Sequence, residues 1–404
     1  MTAAAIPNFI AGRWVRSDAT EALEVSDPAT GEPLGRTPLS GPAEVDAAVR
    51  AAQAAFPAWR ATPAVERTRV LFRLKGLLEA HKADLARSLT REHGKIVAES
   101  AGEIQRGIEN VEHACGIPTL MMGETLEDVA RGIDCETIRQ PLGVFAAITP
   151  YNFPVMIPLW FWPYAVATGN TVVLKPSEQD PLTHQRIVDL AMEAGLPPGV
   201  LNVVHGAREA VTAILEHPGI TGVSFVGSSG TARFVYARAA EHGKRVQALG
   251  GAKNHMIVLP DADLDATMDA VVSSVYGSTG QRCLAGSVIV GVGEAYRPVK
   301  DRLLARAGGL KLGAGLDDGV DMGPVISAQH RERVVDYIAQ GAKDGAALLL
   351  DGRSARVARL PKGHWVGPTV LENVTPDMPV SQTVNPLWGE VTKFIVRQIA
   401  TQPL

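Results

Sequence analysis

The stretch Gly143-Val-Phe-Ala-Ala-Ile-Thr-Pro-Tyr-Asn-Phe-Pro154 reads as a buried strand that ends in a polar turn. Residues 143–149 form a near-continuous apolar run of strand length, the pattern of strands covered on both faces in parallel sheets. The unit then repeats. A helix at 157–167 leads to a strand at 171–174, which stops at Lys175-Pro-Ser-Glu178. A helix at 182–194 and the turn Gly195-Leu-Pro-Pro-Gly199 lead to a strand at 201–204. A helix at 207–216 leads to a strand at 222–226, the turn Gly227-Ser-Ser-Gly230 and a helix at 231–242. Strand, polar turn and helix in regular alternation predict a doubly wound α/β domain. Ligands bind at the carboxyl ends of the strands in such sheets, which makes 149–152, 175–178 and 227–230 candidate site segments. The G-x-G-x-x-G fingerprint is absent. Residues 227–230 could still offer N–H groups and a hydroxyl to a phosphate, or be an ordinary tight turn.

Working outward, residues 9–15 predict a hairpin turning at Ala11-Gly12, and 23–25 a strand before the turn Asp27-Pro-Ala-Thr-Gly31. Pro42 opens an alanine-rich helix in which Ala47, Val49, Ala51, Ala54, Ala55 and Ala58 are the expected packing residues. Helices follow at 67–80, 82–92 and 96–115. The last carries Ile104, Ile108 and Val111 on one face, with Arg106 beside them; an arginine there ordinarily snorkels to the surface. Segments 126–129 and 133–140 read as strands about Arg131-Gly132. From Val246 a second α/β region is expected. It has a glycine-rich connection at 248–255, a strand at 256–259, a helix at 264–274, and strands at 288–291, 348–351 and 365–370. Helices at 296–307 and 330–341, turns at 312–315 and 322–324, and one more strand within 385–396 complete it.

Composition narrows the classes. The 404 residues suggest two or three domains, and 46% hydrophobic residues allow large cores. A net charge of −4 without a long basic run argues against nucleic acid. Cys115, Cys135 and Cys283 are the only cysteines and form no C-x-x-C pair, so neither a disulfide framework nor a zinc knuckle is expected. No signal peptide is visible, and no window is long and apolar enough to span a bilayer. A cytoplasmic protein without membrane contact is expected. His113 and Cys115 read as helix packing, and no metal site is expected. No G-x-S-x-G occurs.

Cys283 lies in Tyr276-Gly-Ser-Thr-Gly-Gln-Arg-Cys-Leu-Ala-Gly-Ser287. Gly277 and Gly280 would let the backbone approach a substrate, and Ser278, Thr279 and Ala285 would leave it room. Arg282 beside the thiol would lower its pKa. The alternative is a buried thiol acting as a small hydrophobe.

Residues 146–154 (AAITPYNFP), 173–178 (VLKPSE), 225–228 (FVGS), 280–283 (GQRC) and Gly367-Pro-Thr369 resemble the aldehyde dehydrogenase superfamily, in order from about Phe9 to Thr369. Val111-Glu-His-Ala-Cys115, Pro158-Leu-Trp160, His242-Gly-Lys-Arg-Val-Gln247 and Gly251-Ala-Lys-Asn-His255 are similar to its CoA-acylating methylmalonate-semialdehyde dehydrogenases of valine and inositol breakdown. The resemblance implies a Rossmann-type NAD-binding domain (1–118 and 142–247), a small oligomerisation hairpin (119–141) and an α/β catalytic domain (248–404), assembled as a homotetramer. It implies oxidation of methylmalonate or malonate semialdehyde to propanoyl-CoA or acetyl-CoA with loss of CO2, with NAD as cofactor and coenzyme A as acyl acceptor. Cys283 would attack the aldehyde, and Asn152 with the Cys283 N–H would hold the oxyanion. Lys175 and Glu178 would meet the adenosine ribose of NAD, Ser228 its pyrophosphate, and Thr149 and Tyr151 the nicotinamide side, with Gln179 and Gly250 as further cofactor-binding residues. Arg106 and Arg282 would bind the substrate carboxylate.

Two departures from the family pattern stand out. Hydrolytic members carry a glutamate at the head of E-L-G-G-K, whereas residues 248–253 read Ala-Leu-Gly-Gly-Ala-Lys. Water would lack its general base there, while a thiol such as CoA needs none. Residues 384–390 (VNPLWGE) lack the family's ribose-binding glutamate, and with the sequence ending at Leu404 a shortened catalytic domain is expected. The alternative reading is therefore a catalytically impaired homologue that retains NAD or partner-subunit binding.

Overall fold

The computed structural model describes residues 4–382 and the backbone strand Lys393–Ile399. The reading of 384–390 lies outside the described residues.

A seven-stranded sheet organises the first half. Its strands Val144–Ile148, Thr171–Lys175, Leu201–Val203, Ile220–Val226 and Arg245–Leu249 run parallel, with Arg245–Leu249 at one edge, and the hairpin Asn8–Ile10/Arg13–Val15 adds an antiparallel pair at the other. Ala11 and Gly12 take the positive φ angles that the hairpin turn needs (52° and 81°). Helices cover both faces. On one side, Leu71, Leu74, Leu85, Leu89, Ile104 and Trp162 belong to the larger core. On the other, Val45, Val49, Ile214 and Val235 pack against Val144, Ile148 and Val223. The inner parallel strands, such as Val144–Ile148, are predominantly apolar because neither face meets water, whereas the outer strand Arg245–Leu249 is alternately exposed.

A five-stranded sheet forms the second half, ordered Asn254–Val258, Gly286–Val292, Lys393–Ile399, Thr369–Glu372, Ala347–Leu350; the last strand is antiparallel. The hairpin Thr125–Ala130/Ile133–Glu136 stands apart from both sheets, with every residue of its strands exposed.

Four expectations shift. The helix Pro42–Ala61 buries Val45, Ala48, Val49, Ala52 and Trp59; of the residues expected to pack, only Val49 is fully buried, and Ala54 and Ala58 are exposed. The strand Pro33–Pro38, absent from the sequence reading, pairs with Ala22–Ser26. Residues 245–249 are not part of a connection: they pair with Ile220–Val226 at the edge of the first sheet, so the crossing to the second half runs through 250–253. Residues 365–368 stay outside the strand, which is Thr369–Glu372.

Candidate active site

A cleft of about 630 Å³ lies at the carboxyl ends of the parallel strands. It is lined by Thr149, Tyr151, Lys175, Glu178, Gln179 and Ser228, among others. Six of the seven expected cofactor residues therefore share one cleft. Gly250 is the seventh; it packs against Ser229, where a Cβ would come within 3.1 Å of the Ser229 hydroxyl. Lys175 Nζ donates to Glu178 Oε2 at 2.7 Å. Burial works against the Glu178 carboxylate, but the charge and hydrogen bond of Lys175 outweigh it, and the group titrates below its usual range. The Ser228 hydroxyl accepts from Thr231 N–H at 3.2 Å and so caps the helix Ser229–Glu241. The hydroxyls of Thr149 and Tyr151 are buried with no hydrogen-bond partner among the described residues, as groups awaiting a polar ligand would be.

Cys283 sits on a loop held from four directions. Glu99 Oε1 accepts Ser278 N–H at 2.7 Å. Thr279 Oγ1 donates to Gly323 O at 2.8 Å. Buried Gln281 donates to Ser278 O and accepts Ile326 N–H at 3.1 Å. Asn254 Nδ2 donates to the carbonyls of Cys283 (2.8 Å) and Ala285 (3.0 Å). These bonds sustain a backbone in which Ser278, Thr279 and Gly280 all have positive φ, strain that non-glycine residues tolerate only when their surroundings fix them.

The glycines and small residues of this loop serve it differently from expectation. A Cβ on Gly277 would lie 2.3 Å from the Arg282 guanidinium, so Gly277 makes room for that arginine. Ser278 and Thr279 are buried and used as scaffold. Arg282 is tied to Glu99 Oε1 at 3.1 Å, Ser273 O at 3.2 Å and Ser278 Oγ at 3.3 Å. The expected lowering of the thiol pKa by Arg282 does not appear. Burial pushes the Cys283 thiol above its usual value; its own N–H and Asn152, then the charges of Arg106 and Lys95, pull it partly back.

Asn152 is fully buried, and neither end of its amide has a saturating protein partner. With the thiol beside it, this is the arrangement of a preorganised oxyanion donor. Arg106 is exposed, with its guanidinium 5.3 Å from the centre of the Phe153 ring, and Phe153 and Cys283 belong to one apolar cluster. Arg106 therefore reaches the same mouth as the thiol, while no carboxylate pairs with it among the described residues.

Sequence reasoning missed Lys95 and Glu103. Both side chains are fully buried and paired at 2.6 Å. Lys95 Nζ also donates to Asn152 O at 2.7 Å, and Glu103 Oε1 accepts the N–H groups of Val155 and Met156. The helix Met156–Ala167 has no capping side chain of its own, so a carboxylate from the helix Val97–Cys115 does that work. Glu92 caps Leu182–Glu193 in the same way, at 2.8 Å from both Leu182 and Thr183 N–H. The available signal was a charged residue, Glu103, beside Ile104 on an apolar helix face.

The chain belongs to the aldehyde dehydrogenase family, whose model matches residues 14–385. The enzyme class read from the sequence, an aldehyde oxidoreductase, holds. Among its relatives, malonate-semialdehyde dehydrogenase 2 of Geobacillus thermodenitrificans (strain NG80-2) is 52% identical over 375 residues, 93% of this chain and 77% of that protein. The mitochondrial acylating methylmalonate-semialdehyde dehydrogenase of Arabidopsis thaliana is 50% identical over 373 residues, 92% of this chain and 61% of that protein. A solved structure from Sinorhizobium meliloti 1021, provisionally described as a methylmalonate-semialdehyde dehydrogenase and complexed with NAD, matches with a TM-score of 0.95 and 43% identity, covering 99% of this chain and 81% of that one. These similarities do not favour the reading of an impaired homologue.

Proposed function

We propose that the protein oxidises methylmalonate or malonate semialdehyde with NAD and passes the acyl group from Cys283 to coenzyme A. One observation carries the acyl-acceptor half: the groups that act most on the Cys283 thiol are its own N–H, Asn152, Arg106 and Lys95, none of them a carboxylate. Position 248 is alanine, packed on the cofactor-domain core, and Glu99 is occupied by Arg282. Neither position 248 nor Glu99 offers a free base to a water molecule attacking the thioester, whereas coenzyme A brings its own thiol nucleophile. The acylating name of the Arabidopsis relative supports the same step.

NAD suits the cleft lined by Thr149, Lys175, Glu178 and Ser228, and the NAD complex of the Sinorhizobium neighbour supports it. The cofactor supplies the hydride acceptor; the chain supplies the thiol, the Asn152 amide and a binding surface. Arg106 takes the larger share of the substrate carboxylate, since Arg282 is already committed to Glu99. Exposed Leu126, Val129, Ile133 and Ile138 on the free hairpin suit contact with another copy of the chain. Three unbridged cysteines suit a reducing cytoplasm.

The test is NADH formation from methylmalonate semialdehyde and NAD, with and without coenzyme A, beside Cys283→Ala. Turnover that depends on coenzyme A and disappears in the variant is expected. Equal turnover without coenzyme A would sink the acyl-transfer assignment.

A further inference from the structure

The amide of Asn152 has no saturating protein partner, so its aim depends on the backbone that carries it. That backbone is anchored by Lys95, a residue with no part in the chemistry described above. The Lys95 ammonium is completely sealed from solvent. It donates to Glu103 Oε2 at 2.6 Å and to Asn152 O at 2.7 Å, and sits 4.8 Å from the centre of the Phe153 ring. Glu103 Oε1 takes the N–H groups of Val155 and Met156 on the other side of the same loop. One buried ion pair thus straps residues 152–156 from both ends.

We propose that Lys95 is a positioning residue of the active site, fixing the Asn152 backbone and holding a permanent positive charge behind Cys283. The proposal rests on the reading of Cys283 as nucleophile. Packing alone is a weak reason for such a pair, because apolar residues of similar volume commonly stabilise an interior as well or better. A fixed charge behind a developing thiolate and oxyanion does what packing cannot. The geometry brings the charge close: Phe153, beside Lys95, shares a cluster with Cys283. The groups facing the thiol are its own N–H, Asn152, Arg106 and Lys95, with Arg282 next to it in the loop. Those facing Lys95 are Glu103, Glu99, Asp180 and His93. The lysine charge acts on the thiol in the same direction as that of Arg106, partly offset by its buried partner Glu103.

The test is alkylation by iodoacetamide of the full chain between pH 6 and 10, followed at each cysteine by mass spectrometry. Cys135, exposed on the free hairpin, is the internal reference. Lys95→Met is expected to raise the pH midpoint for Cys283 by about one unit, hence roughly tenfold slower alkylation below both midpoints, with Cys135 unmoved. Lys95→Arg, which keeps the charge, is expected to retain the wild-type midpoint. A Cys283 profile in Lys95→Met that superimposes on wild type would overturn the proposal. If Lys95→Met leaves Glu103 unpaired and does not fold, Lys95→Met/Glu103→Leu removes both members, and the same upward shift is expected. An unmoved midpoint there, or failure of the double variant to fold, would assign the pair to structure alone and overturn the proposal. The comparison needs neither aldehyde nor cofactor, so failure of the reaction reading, seen as absent NADH formation, remains distinguishable.

Discussion

Arg282 Nη2 lies 3.1 Å from Glu99 Oε1, and the same oxygen accepts Ser278 N–H at 2.7 Å. One carboxylate therefore holds both the guanidinium next to Cys283 and the backbone five residues before it. Arg282→Leu would strand Glu99, whose carboxyl burial already pushes above its usual range. The expected loss is about 2–3 kcal/mol, below the figure for a sealed pair because both groups keep some solvent contact. Arg282→Leu/Glu99→Leu should be more stable than Arg282→Leu alone. Urea unfolding of the three proteins checks the order.

Arg106 and Arg282 also make a kinetic prediction. Either arginine changed to leucine should raise KM at least tenfold for methylmalonate semialdehyde and leave KM for propanal within a few-fold, since only the former has a carboxylate to lose. The larger effect is expected at Arg106, which has no carboxylate partner among the described residues. Steady-state kinetics with both aldehydes decides it; parallel changes would remove the arginines from substrate recognition.

Ala248 ends the list of differences from a hydrolytic site. Ala248→Glu should give NADH formation without coenzyme A, faster than wild type by roughly a hundredfold if the carboxylate acts as a general base. Measuring free acid and acyl-CoA products in the same assay shows whether water has become an acceptor.

Gly323 and Gly76 should respond in opposite directions to the same change. A Cβ on Gly323 would lie 1.9 Å from Gly94 O, a backbone atom that cannot swing away, whereas nothing lies within 4 Å of one on Gly76. Gly323→Ala should cost about 3 kcal/mol or more and slow turnover, because it forces apart the segments that carry Lys95 and Thr279. Gly76→Ala, in the exposed middle of the helix Ala64–Ala80, should stabilise by about 0.5–1 kcal/mol. Thermal unfolding curves compare them directly.

His184 and His205 are fully buried, and burial lowers both to about 3. Their folded pKa values lie below the ordinary 6.5, so the unfolded chain binds more protons between pH 6.5 and 3, and stability falls as the pH drops through that window. Each would forfeit roughly 5 kcal/mol over the whole interval. Tm should therefore decline from pH 7 to pH 5, and the decline should be smaller in His184→Gln/His205→Gln. An equal decline in that variant would assign acid sensitivity to other groups.

The local chain announces what local physics controls. The run at 143–149 is apolar because a parallel strand is covered on both faces, and its polar end at 149–152 follows from where such a strand stops. Cys283 stood out as a candidate by its glycine-rich loop and neighbouring arginine, whereas Asn152 and the alanine at 248 drew notice only through the family resemblance. Arg245–Leu249 was misjudged because its exposure alternates along an outer strand that lacks a buried strand's apolar run. The packing face of Pro42–Ala61 was missed because alanine suits either face of a helix.

Tertiary structure decided the rest. Lys95, Glu103 and Asn152 are 8 and 57 residues from one another in the pairs that matter, and Gln281 meets Ile326 across 45. Nothing in the sequence around Lys95 distinguishes it from a solvated lysine. Its meaning comes from being sealed under a loop that the helix Val97–Cys115 and the first sheet bring together. Likewise Gly277 reads as freedom for a substrate until Arg282 folds back over it. Periodicity set the strands, and residue chemistry together with the family resemblance pointed to Cys283 as candidate nucleophile and to the alanine at 248. Which charges are buried, and what they hold in place, is fixed only when distant segments close on one another and exclude water.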